Sequence, residues 1–381
     1  MQKYKIAIVG SGIIGMTLAL QLSTINHINI TLFGKKPKYS EFKTTAILAT
    51  SFDIYERLLG LDKSQPQISK LKKFKIIDEL KTKKKIIDFD AEEINLDSFA
   101  YNIRDNFLAD RLYKEIKNND SIIFKGEFIE GLEDNLNSTI LNTSDGAAEF
   151  DLVIGADGRN SIIRELAEIN YSKKTYKESI LVTEIDHSIP NNNTSFEIHR
   201  NGSLLTSVPT SNKKSAIVMI DDSEKIESLD WGNLDKIIND SLSTYLGNTI
   251  TNNKYSILPS ETINVEKLYR NRVILVGESA HVIPPVGAQG LNLGLRDIIT
   301  FSNLLVDNGA KDPGTKSILS SYNNMRWLDI YKRYKSVNLL YQSMMNNNVG
   351  YSAIRNIGFL TLNRSRRIRN ILLTEGLSFN K

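Results

Sequence analysis

The chain has 381 residues, a net charge of +4 and no cysteine. At roughly 150 residues per domain, this length predicts two or three domains. The small net charge is not typical of a nucleic-acid binder, which normally carries a concentrated basic face. The lack of cysteine excludes disulfides, thiolate nucleophiles and cysteine-based metal sites. No apolar run reaches the roughly 18 residues that a membrane-spanning helix needs, so we expect a cytoplasmic protein.

The first elements along the chain are a strand, a glycine turn, a helix and a second strand. A β-branched run predicts a buried strand at residues 4–9, and apolar residues at helical spacing follow at 13–22. Another apolar strand covers residues 28–33. This order is the opening unit of a doubly wound α/β fold.

The glycine turn fits the pattern GxGxxG and is predicted to bind a dinucleotide, NAD or FAD. The first glycine permits the tight turn, the second lets the backbone approach a pyrophosphate, and the third lets helix and strand pack closely. The N-terminus of the following helix favours the phosphates. The predicted contacts in this turn are Gly10, Gly12, Ile13, Ile14 and Gly15.

The end of the second strand departs from the dinucleotide pattern. An acidic residue is expected there, about 20 residues after the turn, to bind the adenosine ribose. The chain has Gly34 instead, followed by Lys35 and Lys36. The lysines could serve a 2′-phosphate, as in NADP, but we favour a solvated loop. The adenosine end of an FAD site should therefore be weakened.

The middle of the chain predicts a helix at 51–61, an exposed antiparallel hairpin at 70–90, a helix at 107–116, and strands at 122–132 and 139–142. A buried strand then delivers Asp157 and Gly158 on a turn of small residues, and both are predicted cofactor contacts. An Asp-Gly turn alone is a weak signal, and it is stronger after a GxGxxG unit. Short strands alternating with turns at 177–263 predict a separate, mainly antiparallel sheet.

A third motif follows a buried strand at 273–276 and leads into a helix at 291–305. Its acidic side chain can reach the ribityl hydroxyls of a flavin. The helix N-terminus can stabilise the negative charge of a reduced flavin. The predicted cofactor contacts are Gly277, Glu278, Gly287, Gln289, Gly290, Leu291 and Asn292. His281 and Pro285 are candidate catalytic residues, although a structural hydrogen bond suits His281 better than acid–base chemistry.

Taken in this order, the three motifs resemble the FAD-dependent aromatic hydroxylases of the para-hydroxybenzoate hydroxylase type. The segments at 43–48, 58–61 and 101–108 are similar to the ubiquinone-biosynthesis, UbiH-like branch of that group. The ends at 355–359 and 364–373 also resemble its C-terminal helices. The resemblance covers nearly the whole chain.

The order of the predicted elements, together with the resemblance, predicts an α/β fold with three parts. These are a Rossmann-like FAD-binding domain, an inserted, mainly antiparallel β-sheet substrate domain and a C-terminal helical region. The FAD-binding domain should be discontinuous, at 1–70, 100–175 and 270–312. The substrate domain should cover 71–99 and 176–269, and the helical region 313–381.

The resemblance also implies a reaction. FAD is the cofactor, and NAD(P)H is the co-substrate that reduces it. Reduced flavin captures O2 as a C4a-hydroperoxide and transfers oxygen to an aromatic ring. The implied substrate is a polyprenylated phenol in ubiquinone biosynthesis. The ring position, the choice of NADH or NADPH and the oligomeric state do not follow from the sequence.

Three residues depart from the resembled pattern and leave alternatives open. Gly34 replaces the acid, Lys43 replaces an arginine near the flavin, and Glu278 replaces an aspartate. Lys43 is still a predicted FAD contact. The rivals are another FAD oxidoreductase, such as a prenyl-chain reductase, and a non-catalytic lipid-binding or complex-organising homologue with weakened FAD binding.

The remaining histidines and charged residues bear on partners other than small molecules. No spacing of histidines indicates a metal site. The basic cluster at 364–369 fits either peripheral contact with the inner membrane or a solvated face. Membership of a ubiquinone-biosynthesis complex is a further alternative, and no nucleic acid is expected.

Overall fold

A computed structural model of the chain describes residues 3–79, 84–200, 202–346, 349–365 and 367–370. The helices are α1 (Ile13–Ser23), α2 (Ala49–Leu59), α3 (Asp105–Lys117), α4 (Ile162–Leu166), α5 (Ser223–Glu227), α6 (Trp231–Leu246), α7 (Gln289–Asp307), α8 (Lys316–Met345) and α9 (Val349–Arg364). The strands from the N-terminus are β1 (Tyr4–Val9), β2 (Ile28–Phe33), β3 (Thr44–Leu48), β4 (Ile68–Leu71), β5 (Lys73–Asp78), β6 (Lys85–Asp90), β7 (Ala100–Arg104), β8 (Ile122–Lys125), β9 (Ile129–Asp134) and β10 (Thr139–Thr143). They continue as β11 (Gly146–Phe150), β12 (Leu152–Gly155), β13 (Tyr171–His187), β14 (Thr194–Arg200), β15 (Ser203–Ser211), β16 (Lys214–Asp222), β17 (Thr249–Val265), β18 (Tyr269–Arg270), β19 (Val273–Leu275) and β20 (His281–Val282).

A six-stranded sheet carries the first glycine motif. Its order is β18-β19-β12-β1-β2-β8, and the pairs from β19 to β8 are parallel. The β-branched run of β1 is buried, as a central parallel strand requires, because such a strand is covered on both faces. The helix α1 packs on this sheet, and α3 and α7 pack against α1. The doubly wound unit predicted from the sequence is confirmed.

An eight-stranded sheet holds the middle of the chain, in the order β20-β17-β13-β16-β15-β14-β5-β6. Its pairs are antiparallel except for β14 with β5. The predicted hairpin at 70–90 therefore forms as β5 and β6 and lies at one edge of this sheet. The helix α6, which the sequence reading did not identify, packs through Leu234, Ile238 and Leu242 on a core with the sheet's Leu181 and Ile217.

Two smaller sheets complete the fold. The strands β3, β7 and β4 form one antiparallel sheet, and β11, β10 and β9 form the other. The predicted helix at 51–61 is α2, and it ends at Gly60 in a left-handed conformation with φ +60°. This is the usual end of a helix, because glycine has no Cβ to oppose positive φ.

The C-terminal part is helical where the structure describes it. The 30-residue helix α8 packs on α7, and α9 packs on α8. Residues 347, 348, 366 and 371–381 lie outside the described residues, so the resemblance at 364–373 and the basic cluster at 364–369 are only partly covered. Among the described residues, no helix is long and apolar enough to cross a membrane.

Candidate cofactor site

The three sequence motifs meet at one edge of the six-stranded sheet. The parallel pairing sets Val9 of β1 beside Gly155 of β12, and Gly155 beside Leu275 of β19. Parallel strands end at the same edge, where ligands of open α/β sheets bind. The glycine turn, the Asp-Gly turn and the turn at Gly277 therefore lie side by side, although they are far apart in sequence.

The glycine turn is built by close backbone contacts. Gly10 has φ +114°, and a Cβ there would lie 2.2 Å from the Ala156 carbonyl oxygen. A Cβ on Gly15 would lie 1.8 Å from the Gly10 carbonyl oxygen, so α1 can start close to the strand only with glycine. A Cβ on Gly12 meets no such barrier, since the Tyr39 hydroxyl at 3.7 Å is its near neighbour. The missing side chain of Gly12 leaves space for a pyrophosphate at the start of α1, beside Ile13 and Ile14, and the Tyr39 hydroxyl lies at this space.

The end of β2 has no acidic side chain, and its backbone is adapted to glycine. Gly34 has φ +139°, and a Cβ there would lie 2.5 Å from Ser11 Oγ. Of the two following lysines, Lys35 lies over the Phe128 ring at 4.6 Å, and Lys36 pairs with Asp110 at 2.8 Å. The adenosine end therefore lacks the usual ribose ligand.

The Asp-Gly turn is fastened to its neighbours by Asp157. One carboxylate oxygen accepts from Ser279 Oγ at 3.0 Å, and the other accepts from the Ile163 N–H at 3.1 Å. The Gly158 N–H donates to the same Ser279 Oγ at 3.1 Å. Asp157 and Gly158 thus hold the second motif against the third, which is a positioning role within the turn.

Glu278 projects from the third motif and is half-exposed. It pairs with Arg159, whose Nε lies 3.2 Å from one carboxylate oxygen and whose terminal nitrogen lies 3.1 Å from the other. This two-point geometry fixes both groups. Burial opposes the charge of Arg159, but Glu278 and Glu261 outweigh it and raise the pKa of Arg159. Glu278, which is longer than the aspartate of the resembled pattern, is therefore paired with Arg159.

The loop at residues 283–288, which we call the flavin loop after its predicted role, reaches the surface and leads into α7. Pro285 and Gly287 are exposed, and Gly287 and Ala288 both have left-handed backbones, with φ +67° and +54°. A left-handed alanine is strained by its Cβ, which is a frequent feature of functional loops. The first N–H groups of α7, from Gln289 to Asn292, have no partners within the helix and can face a ligand.

Asn292 joins this helix start to β3. Its side chain donates to the carbonyls of Ala46 and Ala288, at 2.9 and 2.7 Å, and accepts from the Leu48 N–H at 2.9 Å. Gln289 accepts from Arg333 of α8 at 3.0 Å, while Gly290 and Leu291 lie between these two anchors. The side chains of Gln289 and Asn292 thus hold the loop in place and leave its backbone available to a flavin.

His281 lies beneath the loop. It is 2% exposed, and its Nε2 lies 2.7 Å from Asp297, which also accepts from the Gly277 N–H at 2.9 Å and from Arg326 at 2.8 Å. Burial opposes the charge of Asp297, but His281 and Arg326 outweigh burial and lower its pKa. His281 therefore lies beneath the flavin loop and makes a structural hydrogen bond, which is the role that the sequence analysis favoured over acid–base chemistry.

Lys43 lies at the entrance of β3. Its Nζ is 3.7 Å from the buried Asp105 and 5.5 Å from the centre of the Tyr39 ring. Burial raises the pKa of Asp105, and Lys43 and the Thr45 hydroxyl act against that rise. The segment at 101–108 resembles a Y-x-V-x-N-x-x-L run of the UbiH-like branch, and Asp105 stands at the position of its asparagine. The lysine that replaces the expected arginine is accordingly paired with an acid.

The sequence analysis assigned no role to several residues that contribute to this site. Tyr39, Asp105 and Arg159 had no assigned role, and Arg326 reaches the site from α8. Asp105 differs from the resembled motif and was a usable signal. The others are recognised only by their partners, which are distant in the chain. Among the described residues, no cluster of histidine and acidic side chains could hold a metal ion.

The overall fold is that of FAD-dependent monooxygenases. The solved structure of p-nitrophenol 4-monooxygenase PnpA from Pseudomonas putida DLL-E4 superposes with a TM-score of 0.78 over 100% of both chains, at 15% identity. At that identity the likeness concerns the fold alone.

The sequence places the chain more narrowly. Residues 3–330 match the family model described as an FAD binding domain, and the chain belongs to this family. It is 24% identical to 3-demethoxyubiquinol 3-hydroxylase of Escherichia coli, over 96% of each chain. It is 20% identical to the mitochondrial ubiquinone biosynthesis monooxygenase COQ6 of Dictyostelium discoideum, over 97% of this chain and 90% of that one. The resemblance stated from the motifs is confirmed.

Proposed function

We propose that this chain is an FAD-dependent monooxygenase that hydroxylates a polyprenylated phenol on the way to ubiquinone. One oxygen atom of O2 enters the ring as a hydroxyl group and the other leaves as water. The two electrons come from NAD(P)H. The observation that carries the proposal is the convergence of the three motifs on adjacent parallel strands. The full-length similarity to a 3-demethoxyubiquinol 3-hydroxylase and to a ubiquinone biosynthesis monooxygenase supports the substrate class.

The residues of this chain fit FAD at the pyrophosphate and flavin ends. In the proposal, Gly10 to Gly15 receive the pyrophosphate, Lys43 and Glu278 lie along the ribityl chain, and Gly287 to Asn292 face the isoalloxazine ring. Bound FAD supplies the oxygen activation. The protein holds the ring, directs the N-terminus of α7 toward it and keeps water from the reacting face. No protein nucleophile is required.

We propose the domain division stated from the sequence, with an FAD-binding unit at 1–70, 100–175 and 270–312 and a substrate unit at 71–99 and 176–269. The membership of the two large sheets supports it. They cross the proposed boundaries at two places. The strand β13 already starts at Tyr171, and β20 belongs to the eight-stranded sheet because it pairs with β17. The substrate would lie between the eight-stranded sheet and the flavin loop.

We also propose that the protein contacts an anionic membrane surface, where a polyprenylated substrate is found. The support is one side of α8, formed by Met325, Leu328, Lys332, Lys335 and Leu339. We call it the basic apolar face. These residues recur at helical spacing and are exposed, and no acidic residue of α8 is exposed. Apolar side chains with lysines are the composition that binds anionic lipids.

Oxygen uptake tests the catalytic proposal. The full chain, purified mildly, should show flavin absorption and should consume O2 and NAD(P)H faster when a short-chain prenylated phenol is added. Mass spectrometry should find a product heavier by one oxygen atom. Omission of the phenol controls for uncoupled oxidation. NAD(P)H-dependent reduction of a prenyl chain without O2 uptake would instead identify a reductase. Deleting the gene should cause the unhydroxylated intermediate to accumulate.

A non-catalytic role is the second candidate. The departures at Gly34, Lys43 and Glu278 favour it, because each weakens a contact that FAD normally makes. The colour of the protein separates the two candidates. Colourless protein that takes up no added FAD would exclude catalysis, and a flavin spectrum after mild purification would exclude the non-catalytic role.

A further inference from the structure

Tyr39 lies on the glycine turn that receives the pyrophosphate. Its hydroxyl accepts a hydrogen bond from the Ile13 N–H at 3.3 Å. Ile13 is the first residue of α1, so this N–H is one of the four that have no partner inside the helix. Leaving aside the chain neighbours of Gly12, the same hydroxyl supplies the one atom of the described residues within 4 Å of a Cβ built on that glycine.

The position of the Tyr39 hydroxyl conflicts with the binding of a pyrophosphate at the glycine turn. The second glycine of the motif has no side chain so that a pyrophosphate can approach the backbone. Here the Tyr39 oxygen lies in that space, 3.7 Å from where a Gly12 Cβ would be. A phosphate oxygen and the phenol oxygen would need the same donor at Ile13. The charged phosphate forms the stronger hydrogen bond, so it can displace the phenol.

The phenol is held in this place by its surroundings. The Lys43 Nζ lies 5.5 Å from the ring centre, and Asp105 holds Lys43 from the other side at 3.7 Å. Burial raises the pKa of Tyr39, and the nearby carboxylates of Asp105 and Glu278 raise it further despite the Ile13 hydrogen bond. The hydroxyl is therefore neutral near pH 7 and does not repel an incoming phosphate by charge.

We infer that Tyr39 is an internal competitor of FAD. Its hydroxyl occupies the Ile13 N–H and must leave before the pyrophosphate can bind there. Loading of the cofactor then includes a movement of the segment at 35–43, and FAD is held less tightly than the motif alone would allow. The inference rests on FAD binding at this turn, and it does not depend on the proposed hydroxylation.

Replacement of Tyr39 by phenylalanine tests the competition. Tyr39→Phe keeps the ring and removes the hydroxyl. The Kd for FAD, measured on the apoprotein by quenching of flavin fluorescence, should fall about two- to ten-fold, the range that one neutral hydrogen bond covers. The control is Tyr255→Phe, an exposed tyrosine on β17, which should leave the Kd unchanged. An unchanged Kd in Tyr39→Phe overturns the inference. A higher Kd overturns it too and makes the phenol a phosphate ligand.

The wild-type protein gives a second test that needs no variant. If the phenol must leave first, the observed rate of FAD binding in stopped flow should level off as the FAD concentration rises. A rate that stays linear up to the highest concentration overturns the inference. If the wild-type protein binds no FAD, binding by Tyr39→Phe alone supports the inference, and no binding by either protein overturns it. Turnover is not measured, so a failure of the hydroxylase proposal remains distinguishable.

Discussion

At the residue scale, the three departures from the hydroxylase pattern differ in how far the chain has adapted to them. Gly34 is fixed by its positive φ and by Ser11, so an acid could not simply be restored there. Lys43 and Glu278 have each gained a partner of opposite charge, Asp105 and Arg159. The substitutions are visible in the sequence, but their partners are not, because each partner comes from a distant segment.

Gly12 offers a variant that separates cofactor binding from folding. Its φ of −69° suits any residue, and a Cβ there makes only ordinary contact with Tyr39. In Gly12→Ala the methyl group would enter the space of the pyrophosphate. We expect FAD affinity to fall at least about ten-fold, which corresponds to roughly 1.4 kcal/mol, with little change in Tm.

Two glycine variants control for that result. Gly126→Ala, where a Cβ meets nothing within 4 Å, should change neither FAD affinity nor Tm. Gly10→Ala should lower Tm, because its Cβ would lie 2.2 Å from the Ala156 carbonyl oxygen. Unchanged FAD affinity in Gly12→Ala would contradict a pyrophosphate at this turn.

Asp297 is the residue on which the flavin loop depends most. Asp297→Ala would leave Arg326 buried without this acid and would remove the partner of His281 and of the Gly277 N–H. Removing one member of a buried ion pair costs about 3–5 kcal/mol, so we expect a loss of that size in the free energy of unfolding by urea. Asp307→Ala, at the exposed end of the same helix, should change it by less than about 0.5 kcal/mol. Equal losses in both variants would argue against a special role.

At the scale of elements, a chain of charges joins α7 to α8. Arg326 bridges Asp297 and Asp329, at 2.8 and 2.6 Å, and Arg333 links Asp329 at 3.0 Å to Gln289 at 3.0 Å. This series of ion pairs and hydrogen bonds starts under the turn at Gly277 and ends at Gln289, the first residue of α7. The sequence places both helices, but not the ion pairs between them, because local periodicity carries no information on helix–helix partners.

Acid should break this charge chain. Burial opposes ionisation of Asp329 as well, but Arg326 and Arg333 lower its pKa, as Arg326 and His281 lower that of Asp297. Groups with a lowered pKa in the folded state stabilise it above the unfolded pKa of about 3.9 and lose that effect as pH falls further. The free energy of unfolding of the wild type, measured with urea, should therefore fall steeply below about pH 4. In Asp297→Ala the decline should be shallower, and parallel curves would refute this assignment.

The helix α6 is an element that the sequence reading missed, and the signals for it were present. Asp230 caps it by accepting from the Asn233 N–H at 2.7 Å, and Gly247 follows its end. Leu234, Ile238 and Leu242 recur every fourth residue and are all buried. Many asparagines and serines around them favoured turns and short strands. Helix α6 packs on one face of the eight-stranded sheet. The sheet was therefore predicted correctly, but the helix that covers it was not predicted.

At the scale of the whole molecule, the sequence predicts the architecture better than the boundaries. The motif order is sufficient for the doubly wound unit, since each motif ends a strand of one parallel sheet. The pairing of β5 with β14, and of β20 with β17, depends on contacts between distant segments and has no local signature. For the same reason the sheets do not respect the proposed limits at residues 175 and 270.

Membrane contact is a property of the whole surface and can be tested on it. Leu328→Asp, within the basic apolar face, should weaken binding to vesicles containing phosphatidylglycerol, measured by flotation, by at least about ten-fold, since burial of a leucine contributes roughly 1.5–3 kcal/mol. Leu136→Asp, on an almost fully exposed loop residue elsewhere, is the matched control. Higher salt should also reduce flotation, because it screens the lysines. Equal flotation of both variants would remove this face from the proposal.

The short strand β20 has a mechanical consequence. It begins three residues after Glu278 and is hydrogen-bonded into the large sheet, with His281 opposite Asn264 and Val282 opposite Ile263. The turn at Gly277, which is proposed to face the flavin, thus continues directly into a strand of the sheet that is proposed to carry the substrate. If the sheet tilts when the substrate binds, β20 would move with it and would displace the turn at Gly277. The absorption spectrum of the flavin should then report a bound phenol before any electron is transferred.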